Sequence, residues 1–409
     1  MIPLGGGLPS PEQFPRAALA QAFLRAVTEP DAAALQYGWP EGLDPLRQFI
    51  VERMRTRGVE ITVDDVIVTS GAQQAIAIAA QLAARRGQRI GVDRESYPAA
   101  LDLFRTRGLR PVDWRRQRAA AYYVMPAVDN PYGLRLADQD RQRLVDSGRP
   151  ILEDDAYAEL RWDGQPGRPL VAEARDRVFH IGTFSKTLCP GMRVGWLIVP
   201  PRLRTRALRQ KRDRDLHAPT LTQALLADYL ASHDYDRRLE RLRSWYHRRA
   251  QRLALALTKY LPSFRFHFPE GGFSIYCETD ADLDDIDFLE RALAAGVSFD
   301  PGQLFRADRS ARPLSLRLSF SLVPEGQLEE GVKRLARAWA ESARDATLAD
   351  HAARSARIVG GRVPPGVRAL RARPRRGGAA VDALEPAVGV EAARRRDRRR
   401  VQGGARGVR

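Results

Sequence analysis

Lysine is scarce in this 409-residue chain: Lys186, Lys211, Lys259 and Lys333 are the only four among 67 basic residues. Chemistry that needs a primary amine therefore has four candidates. Cysteine is scarcer. Cys189 and Cys277 stand alone, with no disulfide framework and no pair at metal-ligand spacing, which points to a reducing compartment. The six histidines show no ligand spacing, so no metal site is expected. No apolar run approaches the ~18 residues that a membrane span needs. The start, Met1-Ile2-Pro3-Leu4-Gly5, lacks the basic and apolar regions of a signal peptide. The expectation is a cytoplasmic protein with no membrane partner.

Positive charge is abundant but unevenly placed. The formal net charge is +17, and His351 to Arg409 holds sixteen arginines against four acids, so most of the excess lies in the tail. From about Asp345 aromatic residues vanish and Ala, Gly, Arg and Pro dominate. Such a segment buries too little apolar surface to offset its ordering entropy, so residues 346–409 are expected to be disordered. An arginine-rich tail attracts phosphates in general, but without interleaved aromatics or a fold it gives no basis for a nucleic-acid partner.

The body, with 44% hydrophobic residues over the whole chain, supports a large core. Short apolar runs at Val66–Thr69, Arg89–Val92, Tyr122–Met125, Pro150–Glu153, Val178–Ile181 and Val194–Val199 alternate with helical patterns. That alternation predicts an α/β domain with a mostly parallel sheet. Beyond Pro200, helical stretches over Leu203–Ser232 and Tyr235–Tyr260 lead into alternating segments and further amphipathic helices, which read as a smaller α+β domain. The expected division is an arm belonging partly to the small domain (1–35), a large domain (36–210), a linker helix with the small domain (211–345), and the tail.

In parallel sheets ligands gather at the carboxyl ends of strands, so the residues just after each run carry the chemistry. Gly182-Thr183-Phe184-Ser185-Lys186 places a lysine between hydroxyls directly after a strand, and Arg193 follows seven residues later. An amine there suits a nucleophile, and hydroxyls with a guanidinium suit a phosphate. Lysine beside a phosphate pocket suggests a phosphorylated aldehyde, pyridoxal phosphate (PLP), held as a Schiff base. Ile151-Leu152-Glu153-Asp154-Asp155-Ala156-Tyr157 closes another strand with acids, one of which could hold a pyridine nitrogen protonated. Ser70-Gly71-Ala72-Gln73 joins a strand to a helix whose first N–H groups favour phosphate.

In this order the segments resemble the fold type I PLP-dependent transferases, the class I/II aminotransferases. Within them the likeness is to the branch of 2-aminoadipate aminotransferases and the aminotransferase half of MocR regulators. The resemblance covers roughly residues 3–343. It implies a large domain with a mostly parallel seven-stranded sheet flanked by helices, plus a smaller α+β domain.

For the site, the resemblance implies that Lys186 carries the cofactor and moves the α-proton. Asp154 would pair with the ring nitrogen, while Tyr157 and Asn130, in Asp129-Asn130-Pro131-Tyr132-Gly133, would bond the ring oxygen. Tyr97, in Glu95-Ser96-Tyr97-Pro98, would stack on the ring, and Gly71, Ala72, Gln73, Thr183, Ser185 and Arg193 would line the phosphate. Arg317, in Ser315-Leu316-Arg317-Leu318-Ser319, would clamp the substrate α-carboxylate together with Asn130, and Gly7 would close over it. Tyr37 would reach a neighbouring subunit's phosphate, implying a homodimer with shared sites. The implied reaction moves an amino group between an L-amino acid and a 2-oxo acid.

Two other readings stay open at this point: another α-carbon PLP reaction, such as a lyase or decarboxylase, and a catalytically silent PLP-binding regulator. No winged-helix segment, through which MocR regulators bind DNA, is expected ahead of Ile2. Between Pro111 and Tyr122 the sequence is shorter than the family pattern, and the large domain is expected to lack a helix there.

Overall fold

The computed structural model describes residues 1–29, 33–310 and 313–358. The chain begins with a short strand, β1 (Ile2–Pro3), followed by α1 (Arg16–Thr28) and α2 (Asp44–Arg55). The large sheet and its helices come next: β2 (Val66–Thr69), α3 (Ala72–Ala83), β3 (Arg89–Val92), α4 (Pro98–Thr106), β4 (Arg110–Asp113), β5 (Ala121–Val124), α5 (Asp138–Asp146), β6 (Ile151–Asp154), β7 (Val178–Thr183) and β8 (Gly195–Ile198). Its seven strands run in the order β2-β8-β7-β6-β5-β3-β4. β8 alone runs opposite to the other six strands, so the expected α/β class with a mostly parallel sheet is what the chain builds.

The sheet is filled on both faces, and strand alternation decides which side chain goes where. Val66 and Val68 of β2 enter one apolar cluster, and Ile67 between them enters the other. Ile151 and Leu152 of β6, and Ile198 and Leu197 of β8, divide in the same way. The same period will aim Asp154 to the opposite face from Glu153 and Asp155.

The connection from β4 to β5 must pass β3, which lies between them. It does so through residues 114–120 without a helix, tied to β3 at both ends: Trp114 N donates to Val92 O at 3.1 Å and Ala120 N to Arg89 O at 3.0 Å. The shortening seen in the sequence thus removes a helix and leaves both strands in register.

Beyond β8, the expected single helical stretch Leu203–Ser232 is two helices, α6 (Arg204–Asp215) and α7 (Thr220–Ser232). The break falls at Leu216, whose φ is 58°, a left-handed conformation, with Pro219 following as the residue ahead of α7. The long α8 (Tyr235–Tyr260) begins at Asp234, whose carboxylate accepts from Arg237 N. After it come β9 (Arg265–Phe266), β10 (Ser274–Glu278), α9 (Asp285–Ala294), β11 (Val297–Ser298), β12 (Asp300–Pro301), β13 (Ser315–Ser319) and α10 (Gln327–Ile358). A four-stranded sheet, β12-β13-β10-β9, is the frame of this smaller α+β part.

The chain's first residues belong to that part. β1 pairs in parallel with β11, and Ser319 N donates to Leu4 O at 2.6 Å. Gly6 and Gly7 are thereby delivered from the small domain towards the carboxyl end of β7 in the large sheet. α10 runs past residue 345, so the first residues of the stretch expected to be disordered are helical, in keeping with their alanines. Residues 359–409 of that expectation lie outside the described residues.

One close approach fixes the sheet near the lysine segment. Gly182 on β7 is directly opposite Trp196 on β8, and a Cβ there would overlap the indole ring. Gly182→Ala is therefore expected to lower unfolding free energy by about 2 kcal/mol or more through overpacking. An unchanged urea midpoint would contradict this packing.

Candidate active site

Strand ends bring the chemical groups together. Asp154 is the last residue of β6 and Thr183 the last of β7, its neighbour in the sheet. Alternation separates the acidic triplet. Glu153 points into the body, where its carboxylate accepts from Leu170 N at 2.6 Å, Val171 N at 3.1 Å and pairs with His180 Nδ1 at 3.1 Å. Asp155 is paired with Arg57. Asp154 alone faces the other side. It is 3% exposed and accepts from the Tyr123 hydroxyl at 2.7 Å and from Ala156 N at 3.3 Å.

Burial pushes the Asp154 carboxyl up to about 6, against the lowering effects of Tyr123, Ala156 and the Lys186 charge. Burial also keeps the Tyr123 phenol protonated, with the Asp154 charge acting in the same sense. A carboxylate in this setting gains most from a cationic partner.

Lys186 follows β7 and is half-buried, with Nζ donating to the carbonyl of Gly7 at 2.9 Å. The amine lies 5.2 Å from the centre of the Tyr157 ring and 5.8 Å from that of Phe273. Tyr157 is buried against Phe273, edge to face at 5.3 Å. Gly7 is the meeting point. A Cβ on it would stand 3.3 Å from the Tyr157 hydroxyl and 3.7 and 3.8 Å from the two terminal nitrogens of Arg317.

Arg317, on β13, is buried over the Phe305 ring at 4.6 Å. Its Nη1 donates to Asn130 Oδ1 at 2.8 Å, which leaves the Asn130 amide nitrogen free of that bond. Its Nε and Nη2 donate to Asp300 Oδ2 at 3.0 and 2.7 Å.

A second group of residues lies where β2 turns into α3. Gly71 has φ of 85°, a left-handed conformation that calls for glycine, and its Cα lies beneath the Arg193 guanidinium. Ala72 and Gln73 form the first turn of α3, where backbone N–H groups have no intrahelical acceptor. Gln73 donates to Ala99 O at 3.0 Å. Thr183 and Ser185 are buried and share a hydroxyl bond of 3.0 Å. Arg193, itself left-handed at φ 52°, reaches across to Ser70 O and Pro190 O at 3.4 Å each and pairs with no carboxylate among the described residues. A guanidinium, two hydroxyls and a helix start form a donor set suited to a phosphate dianion.

Of the other expected residues, Tyr97 is half-buried at the start of α4 and is close enough to act electrostatically on Tyr123. Tyr37 does not join the cluster within one chain. It is 80% exposed, with its ring edge on His217 at 5.8 Å.

Three contributors were not singled out from the sequence. Tyr123 reads as a core aromatic of an apolar strand, and only the strand register shows its hydroxyl meeting Asp154. Phe273 is equally silent. Asp300 left a trace, a lone acid in the apolar run Val297-Ser298-Phe299-Asp300-Pro301.

The Asp154 carboxyl, raised from 3.8 to about 6, favours the folded state fully below its ordinary value, and that contribution is lost as the pH rises through about 6. Asp154→Asn removes this fall. Relative to the parent, the ligand-free variant is expected to gain roughly 2 kcal/mol between about pH 4 and about pH 7 in urea unfolding. A difference that does not vary with pH would contradict the buried, uncompensated carboxyl.

Comparison with known proteins agrees with this arrangement. The model of the family "Aminotransferase class I and II" matches residues 1–335. Aromatic-amino-acid aminotransferase 1 of Thermococcus litoralis is 31% identical over 364 residues, covering 82% of this chain and 87% of the relative. The 2-aminoadipate transaminase of Thermus thermophilus is 32% identical, covering 83% and 90%. Among solved structures, LysN, the α-aminoadipate aminotransferase of Thermus thermophilus complexed with N-(5'-phosphopyridoxyl)-L-leucine, superposes with a TM-score of 0.77 at 31% identity, covering 83% of this chain and 92% of that one. A lysine and a buried carboxylate at adjoining strand ends, within a chain matched over most of its length, make this protein a member of the class I and II aminotransferases.

Proposed function

We propose that this aminotransferase works with PLP bound between β6, β7 and the start of α3, and transfers an amino group from an L-amino acid to a 2-oxo acid. The observation that carries the reading is the convergence on Gly7: the Lys186 amine, the Tyr157 hydroxyl and the outer edge of the Arg317 guanidinium all face one residue of the arm. A substrate whose α-carboxylate lies on Arg317 therefore has its α-carbon within reach of Lys186.

PLP, when bound, supplies an aldehyde carbon for the amino group and a ring that draws electrons from the α-carbon. The protein's residues do the rest. Lys186 would hold the cofactor, and its amine, once displaced by that of the amino acid, would carry the proton from the α-carbon to the carbon on the far side of the nitrogen. Asp154 keeps a proton on the ring nitrogen, gaining the cationic partner that its buried position favours. Tyr157 and the Asn130 amide nitrogen donate to the ring oxygen, and Tyr97 covers the ring. Arg193, Thr183, Ser185 and the turn Gly71-Ala72-Gln73 anchor the phosphate. Arg317 and Asn130 fix the α-carboxylate under Gly7, so that binding energy is spent on orientation.

The partner we propose is a second copy of the chain. Tyr37 and Trp39 are 80% and 78% exposed, and Phe23, Leu24, Leu35 and Leu216 are exposed with them. Apolar surface of this extent suits an obligate interface. The partner's Tyr37 would then complete the phosphate site. The boundaries near residues 35, 210 and 345 are proposed to separate the arm and small domain from the large one, and the cytoplasm is the proposed location.

The test is a screen of amino donors with 2-oxoglutarate as acceptor, monitoring the 2-oxo acid formed and the aminated form of the cofactor. Transamination is expected. Release of ammonia or CO2 in its place would favour a lyase or decarboxylase. Lys186→Ala is expected to lose roughly 10²–10⁴-fold or more of kcat while still binding the cofactor without a covalent link. Parental turnover in that variant would exclude the assigned role.

A further inference from the structure

Arg317 is not free to receive a substrate on every edge. β12 pairs with β13 so that Asp300 is directly opposite Arg317. The Asp300 carboxylate takes the Nε and Nη2 hydrogens at 3.0 and 2.7 Å, and the same oxygen accepts from Gly6 N in the arm at 2.8 Å. A Cβ on Gly5 would lie 3.0 Å from its other oxygen. Asn130 binds Nη1 from the opposite side. One carboxylate thus joins three segments: the arm, β12 and the guanidinium.

We propose that Asp300 is a positioning residue that sets both the orientation and the charge of the carboxylate clamp. This rests on the reading of Arg317 as that clamp. Guanidinium donors lie in one plane with fixed directions. With the Nε–Nη2 edge held by Asp300, the Nη1–Nη2 edge is the one presented towards Gly7 and Lys186. The hydrogen bond to Gly6 N fixes the arm in the same motion, so the clamp and the segment that closes over it share one anchor.

The charge has a separate consequence. Asp300 neutralises Arg317 at contact distance, so a substrate carboxylate meets an ion pair instead of a lone cation. Asp300 therefore weakens α-carboxylate binding electrostatically while securing its geometry.

The two effects have opposite signs and separate cleanly by substitution. Asp300→Asn keeps an oxygen acceptor for Arg317 and Gly6 but removes the charge. Asp300→Ala removes both. The measurements are KM and kcat for the preferred amino donor, and the inhibition constant of propionate, a carboxylate with no amine to react. Spectrophotometric titration of the cofactor-loaded protein with propionate gives the same affinity without turnover.

Asp300→Asn is expected to tighten propionate and lower KM roughly three- to tenfold, with kcat held within about twofold. Asp300→Ala is expected to weaken propionate and raise KM about tenfold or more, as the guanidinium and arm lose their shared acceptor. If neither variant moves these constants, or both move them in the same direction by the same factor, the positioning role is overturned. Arg317→Gln distinguishes the two levels. Unchanged propionate affinity in that variant means that the clamp reading itself fails. Weakened propionate there, with both Asp300 variants at parental values, means that only the role of Asp300 fails.

Discussion

A carboxylate sealed at the end of a buried strand is the constraint around which this molecule is arranged. Asp154 is out of water, and its hydrogen-bond donors, a phenol and a backbone amide, carry no charge. Low-dielectric surroundings make that arrangement costly unless a cation or a proton arrives. The parallel sheet explains why the residue can sit there at all. Its neighbour β7 pairs Ile181 with it and ends two residues further on, and the turn after β7 brings in an amine whose charge acts on the same carboxylate. Fold and chemistry therefore meet at two adjoining strand ends, where open α/β sheets place their ligands.

The small domain's contribution is delivery. Its sheet holds Arg317, its strand β11 holds the beginning of the chain, and the arm then spans to the lysine of the large domain. The guanidinium that shares Gly7 with Lys186 comes from the small sheet, so under the proposed roles the carboxylate end and the α-carbon end of a substrate are set by different parts of the chain. Many contacts join the two sides, among them Ser96 N to Phe305 O, Glu270 N to Gly133 O, Arg317 to Asn130 and Lys186 to Gly7. Firm placement of this kind suits a reaction in which orientation supplies much of the rate.

Much of this was legible from the sequence, for physical reasons that can be stated. Helix α8 matches its pattern from first residue to last, because Asp234 caps it and the apolar stripe is continuous. The lysine segment stood out because lysine is rare and because glycine and hydroxyls follow an apolar run. The acidic triplet was legible as a cluster, and strand alternation then tells which of the three faces the site. The break at Leu216 was not visible, since a left-handed leucine has no sequence signature. Tyr123 and Asp300 were missed for a related reason. Their roles depend on which residue of a neighbouring strand lies opposite, and register between strands distant in the chain is a tertiary property. Tyr37 exposes a different limit, for its expected role needs a second chain.

The central claim is that one amine, that of Lys186, holds the cofactor. The direct measurement is to load the protein with PLP, reduce with borohydride so that the bound cofactor is fixed to its amine, and map the modified peptide by mass spectrometry. With four lysines in the chain the outcome is unambiguous. The account predicts the label on Lys186 alone. A label on Lys211, Lys259 or Lys333, or no label on a fully folded protein, would contradict it.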